Sequence, residues 1–157
     1  MKMPALVTLQ EVKEYLKLDL MSQLEDKVLQ HLIAAATAEV EQKHGRGLTY
    51  RETVETYSGT GDGKLFLRAY PVVSISSITV NGAEVPPSAY RVEKHTGILH
   101  GAWPAGVDNI SVSYKAGYWT DFQNPPPSMD IPMIPMDLKH ECLELVAYLY
   151  ENRGGVR

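Results

Sequence analysis

The sequence predicts an α+β fold: a small helical bundle, made of N-terminal helices and a C-terminal helix, with an antiparallel β meander inserted between them. Two observations carry this prediction. Near both ends of the chain, apolar residues recur at three- and four-residue intervals, as they do on one face of a helix. In the middle of the chain, short β-prone runs alternate with turn signals, as they do in an antiparallel sheet.

The N-terminal helices have recognisable start and stop signals. Thr8 and Glu11 have the spacing of a capping box, and Ser22 and Glu25 repeat it. A short helix is expected after the first box and the longest helix after the second, with Gly45 as its left-handed stop. The apolar stripe of the longest helix is Val28, Leu29, Leu32, Ile33, Ala36 and Val40.

A C-terminal helix is predicted over residues 135–152, ended by Gly154 and Gly155. Its polar faces carry Lys139, Glu141 and Glu144. Because neither helical stripe is stable in water, we expect the two to pack against each other. The C-terminal stripe is Leu138, Cys142, Leu145, Val146 and Leu149.

The strand region contains two hairpin signals. Asn81-Gly82 is typical of a type I′ turn, which needs positive φ at both central residues. A second hairpin is expected around Gly97. In the last strand Ile110 and Val112 alternate with serines, which predicts a sheet with one buried face, covered by the helices or by a neighbouring subunit.

The 157-residue chain is of single-domain size, with a formal net charge of -4. We expect a helical frame over residues 1–50 and 135–157, a β insert over 51–118 and a proline-rich arm over 119–134. The acidic balance argues against a protein that wraps nucleic acid by neutralising phosphates. We find neither a secretory signal nor a bilayer-spanning run, and expect synthesis in the cytoplasm and no membrane partner.

The proline-rich arm is the candidate interface. A loop of this length is uncommon in a compact domain and is usually functional or disordered, and its apolar content is high for a disordered linker. Packing of the arm along its own domain is the alternative. The candidate interface residues are Trp119, Phe122, Met129, Ile131, Met133 and Ile134.

The sequence predicts no catalytic, metal-binding or cofactor-binding residues. The glycine-rich run at residues 59–64 lacks the spacing of a phosphate-binding loop and lies between strands. His95 and His100 have no third metal ligand nearby in the sequence. Cys142 lies in an apolar helical stripe, and His140 points off another face of the same helix.

Nearly the whole chain resembles the head-tail connector, or adaptor, proteins of long-tailed bacteriophages, in the larger form with a β insert. The resemblance rests on an ordered set of segments: "LVTLQEVKEYLKLD", "LIAAATAEVEQKHGR", "ETYSG", "LFLRAYPVVSISSITVNG", "YRV", "GILHG", "ISVSYKAGY" and "IPMDLKHECLELVAYLYENRGG". The long proline-rich stretch and the short tail after Arg153 depart from the family pattern.

The resemblance implies a virion structural protein at the head-tail junction, not an enzyme. It implies a closed homo-oligomeric ring, often dodecameric, beneath the portal protein and above a downstream tail or stopper protein. The ring would extend the DNA channel towards the tail and lie close to the genomic DNA without sequence-specific contact. Two other hypotheses remain from the residues: a small binding module whose β insert recognises a peptide or a DNA end, and a hydrolase assembled from distant residues.

Overall fold

The computed structural model describes residues 5–152, which form two compact units. The helical unit contains residues 5–45, 119–129 and 133–152 of the described chain, and the strand unit contains residues 46–118 and 130–132. The α+β class is confirmed, because the seven strands of the described chain lie in sequence between the second and third helices.

Helix α1 (Leu9–Leu16) begins at the first predicted capping box. The Thr8 hydroxyl accepts the backbone N–H of Glu11 at 3.1 Å, and the Glu11 carboxylate accepts the backbone N–H of Thr8 at 2.8 Å. Lys17 ends the helix in the left-handed conformation, and its N–H donates to the Glu14 carbonyl at 3.2 Å. The first capping prediction is therefore confirmed.

Helix α2 (Asp26–His44) begins later than predicted, and the second capping box is wrong. The Ser22 hydroxyl accepts the N–H of Leu24 at 3.4 Å, and the Ser22 carbonyl accepts the Lys13 ammonium at 2.7 Å. These contacts hold Ser22 in a turn that precedes α2. The N-cap position of the helix is Glu25, three residues later, so the Ser22 hydroxyl does not cap α2. Gly45 ends α2 with a φ of 69°, as predicted.

Helix α3 (Met136–Asn152) packs against α2. The Cys142 thiol lies 4.0 Å from the Thr37 hydroxyl, so the predicted stripes do meet. The placement of Val28 in the stripe is wrong, because its position is turned by roughly 100° from the centre of the buried face. The predicted stop at residues 154–155 lies outside the described residues. The buried side chains of the two helices are Leu29, Leu32, Ile33, Ala36, Thr37, Val40, Leu138, Lys139, Cys142 and Val146.

The strands form two antiparallel sheets rather than one meander of sequential neighbours. They are β1 (Arg51–Tyr57), β2 (Lys64–Phe66), β3 (Val72–Val80), β4 (Ala83–Glu84), β5 (Arg91–Glu93), β6 (Ile98–His100) and β7 (Ile110–Ala116). One sheet has the order β1-β7-β3-β4 and the other the order β2-β6-β5. The last strand of the insert is therefore central, with a neighbour on each side.

Both predicted hairpins form. Asn81 and Gly82 have φ angles of 52° and 84°, as a type I′ turn requires, and they join β3 to β4. Strands β5 and β6 pair around a turn in which Gly97 has a φ of 72°.

The core of the strand unit lies between its own two sheets. Ile110 and Val112 on β7 are fully buried, and the alternation predicted for this strand is confirmed. Leu65 of β2 and Leu99 of β6 belong to the same cluster of buried side chains. The smaller sheet therefore provides cover for the larger sheet from within the strand unit.

Within residues 5–152 no helix is both long and apolar enough to cross a membrane.

Candidate assembly interface

The proline-rich arm, residues 119–134, is a closed loop whose two ends are hydrogen-bonded to each other. Trp119 and Met133 form a parallel bridge, and the backbone N–H of Ile134 donates to the Trp119 carbonyl at 3.0 Å. The Trp119 indole N–H lies within hydrogen-bond distance of the carbonyls of Asp121, at 2.9 Å, and Asn124, at 2.8 Å. The arm therefore has the closed ends and internal contacts of a compact surface loop.

The six candidate interface residues divide into two groups. Ile131 and Ile134 are buried in the chain, at 4% and 3% exposure. Phe122 and Met133 are exposed, and Met129 is almost completely exposed, at 99%. Trp119 is half-buried at the base of the loop. The arm therefore exposes Phe122 and the two methionines, whereas the two isoleucines are buried.

The start of the arm is held by a buried lysine. The Lys139 side chain of α3 is 2% exposed, and its ammonium lies 2.6 and 2.8 Å from the two carboxylate oxygens of Glu11. The same ammonium donates to the Thr120 carbonyl at 2.8 Å and lies 4.4 Å from the centroid of the Phe122 ring. One charge therefore joins helix α1, helix α3 and the first residues of the arm.

A second contact fixes the same end of the arm. The Thr120 hydroxyl donates to the carbonyl of Ala5 at 2.7 Å. Thr120 is thus bonded through both its carbonyl and its hydroxyl. The carboxylate that pairs with Lys139 also completes the capping box of α1, since it accepts the Thr8 N–H. The arm and the first helix therefore share one hydrogen-bonded network.

Sequence reasoning missed Lys139, which it placed on a solvent face of the last helix. One signal was available: positions 139, 142 and 146 have the three- and four-residue spacing of a buried stripe, and the last two carry Cys142 and Val146. A lysine at such a position can be buried only with a partner. That partner, Glu11, lies 128 positions earlier in the chain, which no local pattern reveals.

The residues considered for catalysis are placed in structural roles. The Cys142 thiol is fully buried, and burial raises its pKa to about 11, with the hydroxyl of Thr37 opposing the shift. The His100 ring is hydrogen-bonded to the carboxylate of Glu93. Among the described residues, no contact joins His100 to His95. Within residues 5–152 no group of three histidine, cysteine, aspartate or glutamate side chains is arranged to hold a metal ion.

The strand unit has a polar cluster that pins a loop to its larger sheet. The phenols of Tyr57 and Tyr114 both donate to the Glu55 carboxylate, the latter at 2.5 Å. The same two phenol oxygens accept the backbone N–H groups of Arg68 and Ala69, each at 3.1 Å. Burial, reinforced by the Glu55 carboxylate, raises the pKa of Tyr57 to about 12 and raises that of Tyr114 as well. Both phenols therefore stay protonated as hydrogen-bond donors.

The described chain has a two-unit α+β fold with an internally anchored loop that exposes apolar side chains. The chain belongs to the head completion protein family, whose sequence profile matches residues 5–155. This membership confirms the resemblance to phage head-tail connectors, and with it the class of function: a structural protein of the virion.

Solved structures share the fold. A chain from the virion of a native gene transfer agent particle is similar with a TM-score of 0.72 and 17% identity, over 100% of this chain and 84% of that one. A chain from the neck of an empty particle, computed with C6 symmetry, has a TM-score of 0.67 and 20% identity, over 94% and 78% of the two chains. A chain from the neck of a native particle, computed with C12 symmetry, has a TM-score of 0.67 and 17% identity, over 100% and 87%. No curated protein sequence matches the chain.

Proposed function

We propose that this protein is a ring-forming head-tail connector, and that the arm at residues 119–134 is one of its contact surfaces. Membership of the head completion protein family is the observation that carries the proposal. The arm adds support, because Met129 and Met133 extend from a loop whose ends are fixed, as side chains that meet a partner would. Methionine is unbranched and adaptable, and it is common at binding surfaces.

The ring is supported by the neck structures that share this fold, which were computed with sixfold and twelvefold symmetry. We take twelve copies as the number in the virion, by analogy with the native neck. A ring of identical subunits is closed by heterologous contacts, in which a patch on one copy meets a different patch on the next. Each copy must therefore present at least two unlike surfaces.

The proposed partners are the portal protein on one side of the ring and a downstream tail or stopper protein on the other. The genomic DNA would pass through the ring without specific contact, and a net charge of -4 supports passage rather than tight binding. The role is structural and not enzymatic, since the titratable groups considered above are buried or paired within the fold.

The arm is tested by substitution rather than deletion, since deletion would remove the buried Ile131 and Ile134 with the exposed residues. The double variant Met129→Ser, Met133→Ser keeps the buried residues in place. We expect it to fold normally but to leave DNA-filled heads without tails, counted by negative-stain microscopy of particles that carry only the variant protein. The control is Val107→Ser, which removes an apolar side chain that is 86% exposed from the strand unit.

Normal yields of tailed particles from the double variant would show that the arm is not one of the contact surfaces. A virion neck without a ring of this protein would overturn the proposed function itself.

A further inference from the structure

Helix α2 has a second apolar face, opposite the one that it buries. Leu24, just before the helix, and Val28, Ala35 and Ala38 within it follow one another at four-, seven- and three-residue steps. At roughly 100° per residue Val28, Ala35 and Ala38 share one side of the helix, well away from the buried stripe, and Leu24 lies in the turn that leads into the helix. All four are exposed in the single chain, and Leu24 is 94% exposed. We call these four residues the outer α2 face.

The outer α2 face adds exposed apolar residues to a helix that also buries an apolar stripe. A surface helix normally carries charged and polar residues opposite its buried stripe. Here His31 and Gln42 are the polar residues on the side of the helix that carries the face, and Lys27 and Glu39 lie at its two edges. The two alanines also leave shallow gaps in which a larger apolar side chain from a partner can pack.

We propose that the outer α2 face of one copy binds the exposed methionines of residues 129–136 in the neighbouring copy of this chain. This inference rests on the ring proposed above. A heterologous ring contact needs two unlike patches on every copy, and the exposed apolar residues include two candidates: the outer α2 face and the segment that exposes Met129, Met133 and Met136. Closure of the ring then covers both patches on every copy.

Shape and charge favour this pairing. Methionine side chains have three rotatable bonds, so they can adapt to a face with two larger residues, Leu24 and Val28, at one end and two alanines at the other. Asp137 follows the last of the three methionines and is exposed, and Lys27 beside the outer α2 face is exposed as well. The face has Lys27 at one edge and Glu39 at the other, so the negative charge of the segment favours the orientation that brings Asp137 to Lys27.

Cysteine cross-linking tests the contact. Particles are assembled with equal amounts of two single variants, Leu24→Cys and Met133→Cys, in place of the native protein. A disulfide forms only where the two Cα atoms lie within about 7 Å, so it reports direct contact. The native Cys142 is fully buried and stays in place. The control mixture uses Gln30→Cys, an exposed position on another side of α2, with the same Met133→Cys.

We expect dimers of this chain on oxidation of the first mixture and none from the control. A ring without these dimers overturns the inference and leaves the proposed function intact. A cross-link from Leu24→Cys to a protein of different mass also overturns it, by assigning the outer α2 face to another partner. Particles whose neck contains no ring of this protein overturn the proposed function, and the inference with it.

Charge reversal provides a second readout. Lys27→Glu is expected to reduce the fraction of necks with a complete ring, and the double variant Lys27→Glu, Asp137→Lys to restore it. Recovery in the double variant supports the pairing of these two charges across the interface. Absence of recovery, with both proteins folded, overturns that pairing.

Discussion

Replacement of Lys139 by methionine is the most direct test of how the arm is held. The substitution keeps the length of the side chain and removes its charge. It leaves the Glu11 carboxylate, whose side chain is 19% exposed, without its cation, and it leaves the Thr120 carbonyl without its donor. It also removes the cation above the Phe122 ring.

The magnitude follows from the burial of the pair. Loss of one member of a buried ion pair costs about 3–5 kcal/mol, because the other charge stays buried without a partner. Glu11 keeps some contact with solvent, so we take the lower end, about 3 kcal/mol. For a chain of this size each kcal/mol lowers the melting temperature by about 2–4 °C, which gives a decrease of about 6–12 °C.

The assay is thermal unfolding followed by helical circular dichroism, which reports on the helical unit. The matched control is Lys43→Met, which breaks an ion pair with Glu141 at 3.1 Å whose lysine side chain is 70% exposed. An exposed pair contributes at most about 1 kcal/mol, so this control should melt within about 4 °C of the native protein.

Relief of the unpaired charge should restore part of the stability. Glu11→Gln, added to Lys139→Met, removes the buried charge and keeps a residue that can complete the capping box. We expect the double variant to be more stable than Lys139→Met alone by roughly 1 kcal/mol or more. The reasoning is refuted if Lys139→Met melts as Lys43→Met does, or if the double variant shows no recovery.

Three further substitutions or treatments have defined outcomes. Tyr114→Phe leaves the Ala69 N–H without its acceptor at 3.1 Å, and should cost about 1–3 kcal/mol in urea unfolding; no loss would argue against the cluster. Gly59→Ala would place a Cβ 2.0 Å from the carbonyl oxygen of Pro104 and should sharply reduce the yield of folded protein. Gly63→Ala, with a nearest contact of 3.8 Å, should be tolerated. Equal yields from the two variants would contradict this prediction. Burial raises the pKa of the Cys142 thiol to about 11 from an ordinary 9.0, so at pH 8 the thiolate is scarcer than in the unfolded chain. Alkylation by iodoacetamide should therefore be slow until urea unfolds the protein. Equal alkylation rates in the folded and unfolded protein would refute the burial.

Local sequence signals predicted the parts of this fold that local physics determines. The capping box at Thr8 and Glu11 and the left-handed stop at Gly45 each depend on a few consecutive residues, and both are confirmed. The turn at Asn81 and Gly82 is confirmed for the same reason, since its φ angles follow from residue type. The α+β class followed from the helical spacing of apolar residues near both ends of the chain and the short β-prone runs between them.

Features that depend on residues far apart in the sequence were less accessible. Ser22 has the pattern of a cap, but its carbonyl bonds Lys13 and its hydroxyl closes a turn. Strand β7 lies between β1 and β3 because of long-range strand pairing. A predicted meander pairs only strands that are neighbours in the sequence, so it missed this order. The apolar content of the arm indicated burial or contact, but only the fold separates the buried Ile131 from the exposed Met129.

The buried Lys139 holds the start of the arm in place within a single chain, and this order bears on the proposed assembly. A flexible loop loses conformational entropy when it binds, and that loss reduces affinity. Here the bonds of Thr120 to Lys139 and Ala5, and the bridge between Trp119 and Met133, fix both ends of the arm before any partner arrives. The ends of the loop are therefore held by interactions within one chain, so the proposed contact through its methionines would have a smaller entropic cost. In the proposed ring this gain would recur at every interface, and one buried ion pair in each copy would then influence the stability of the whole assembly.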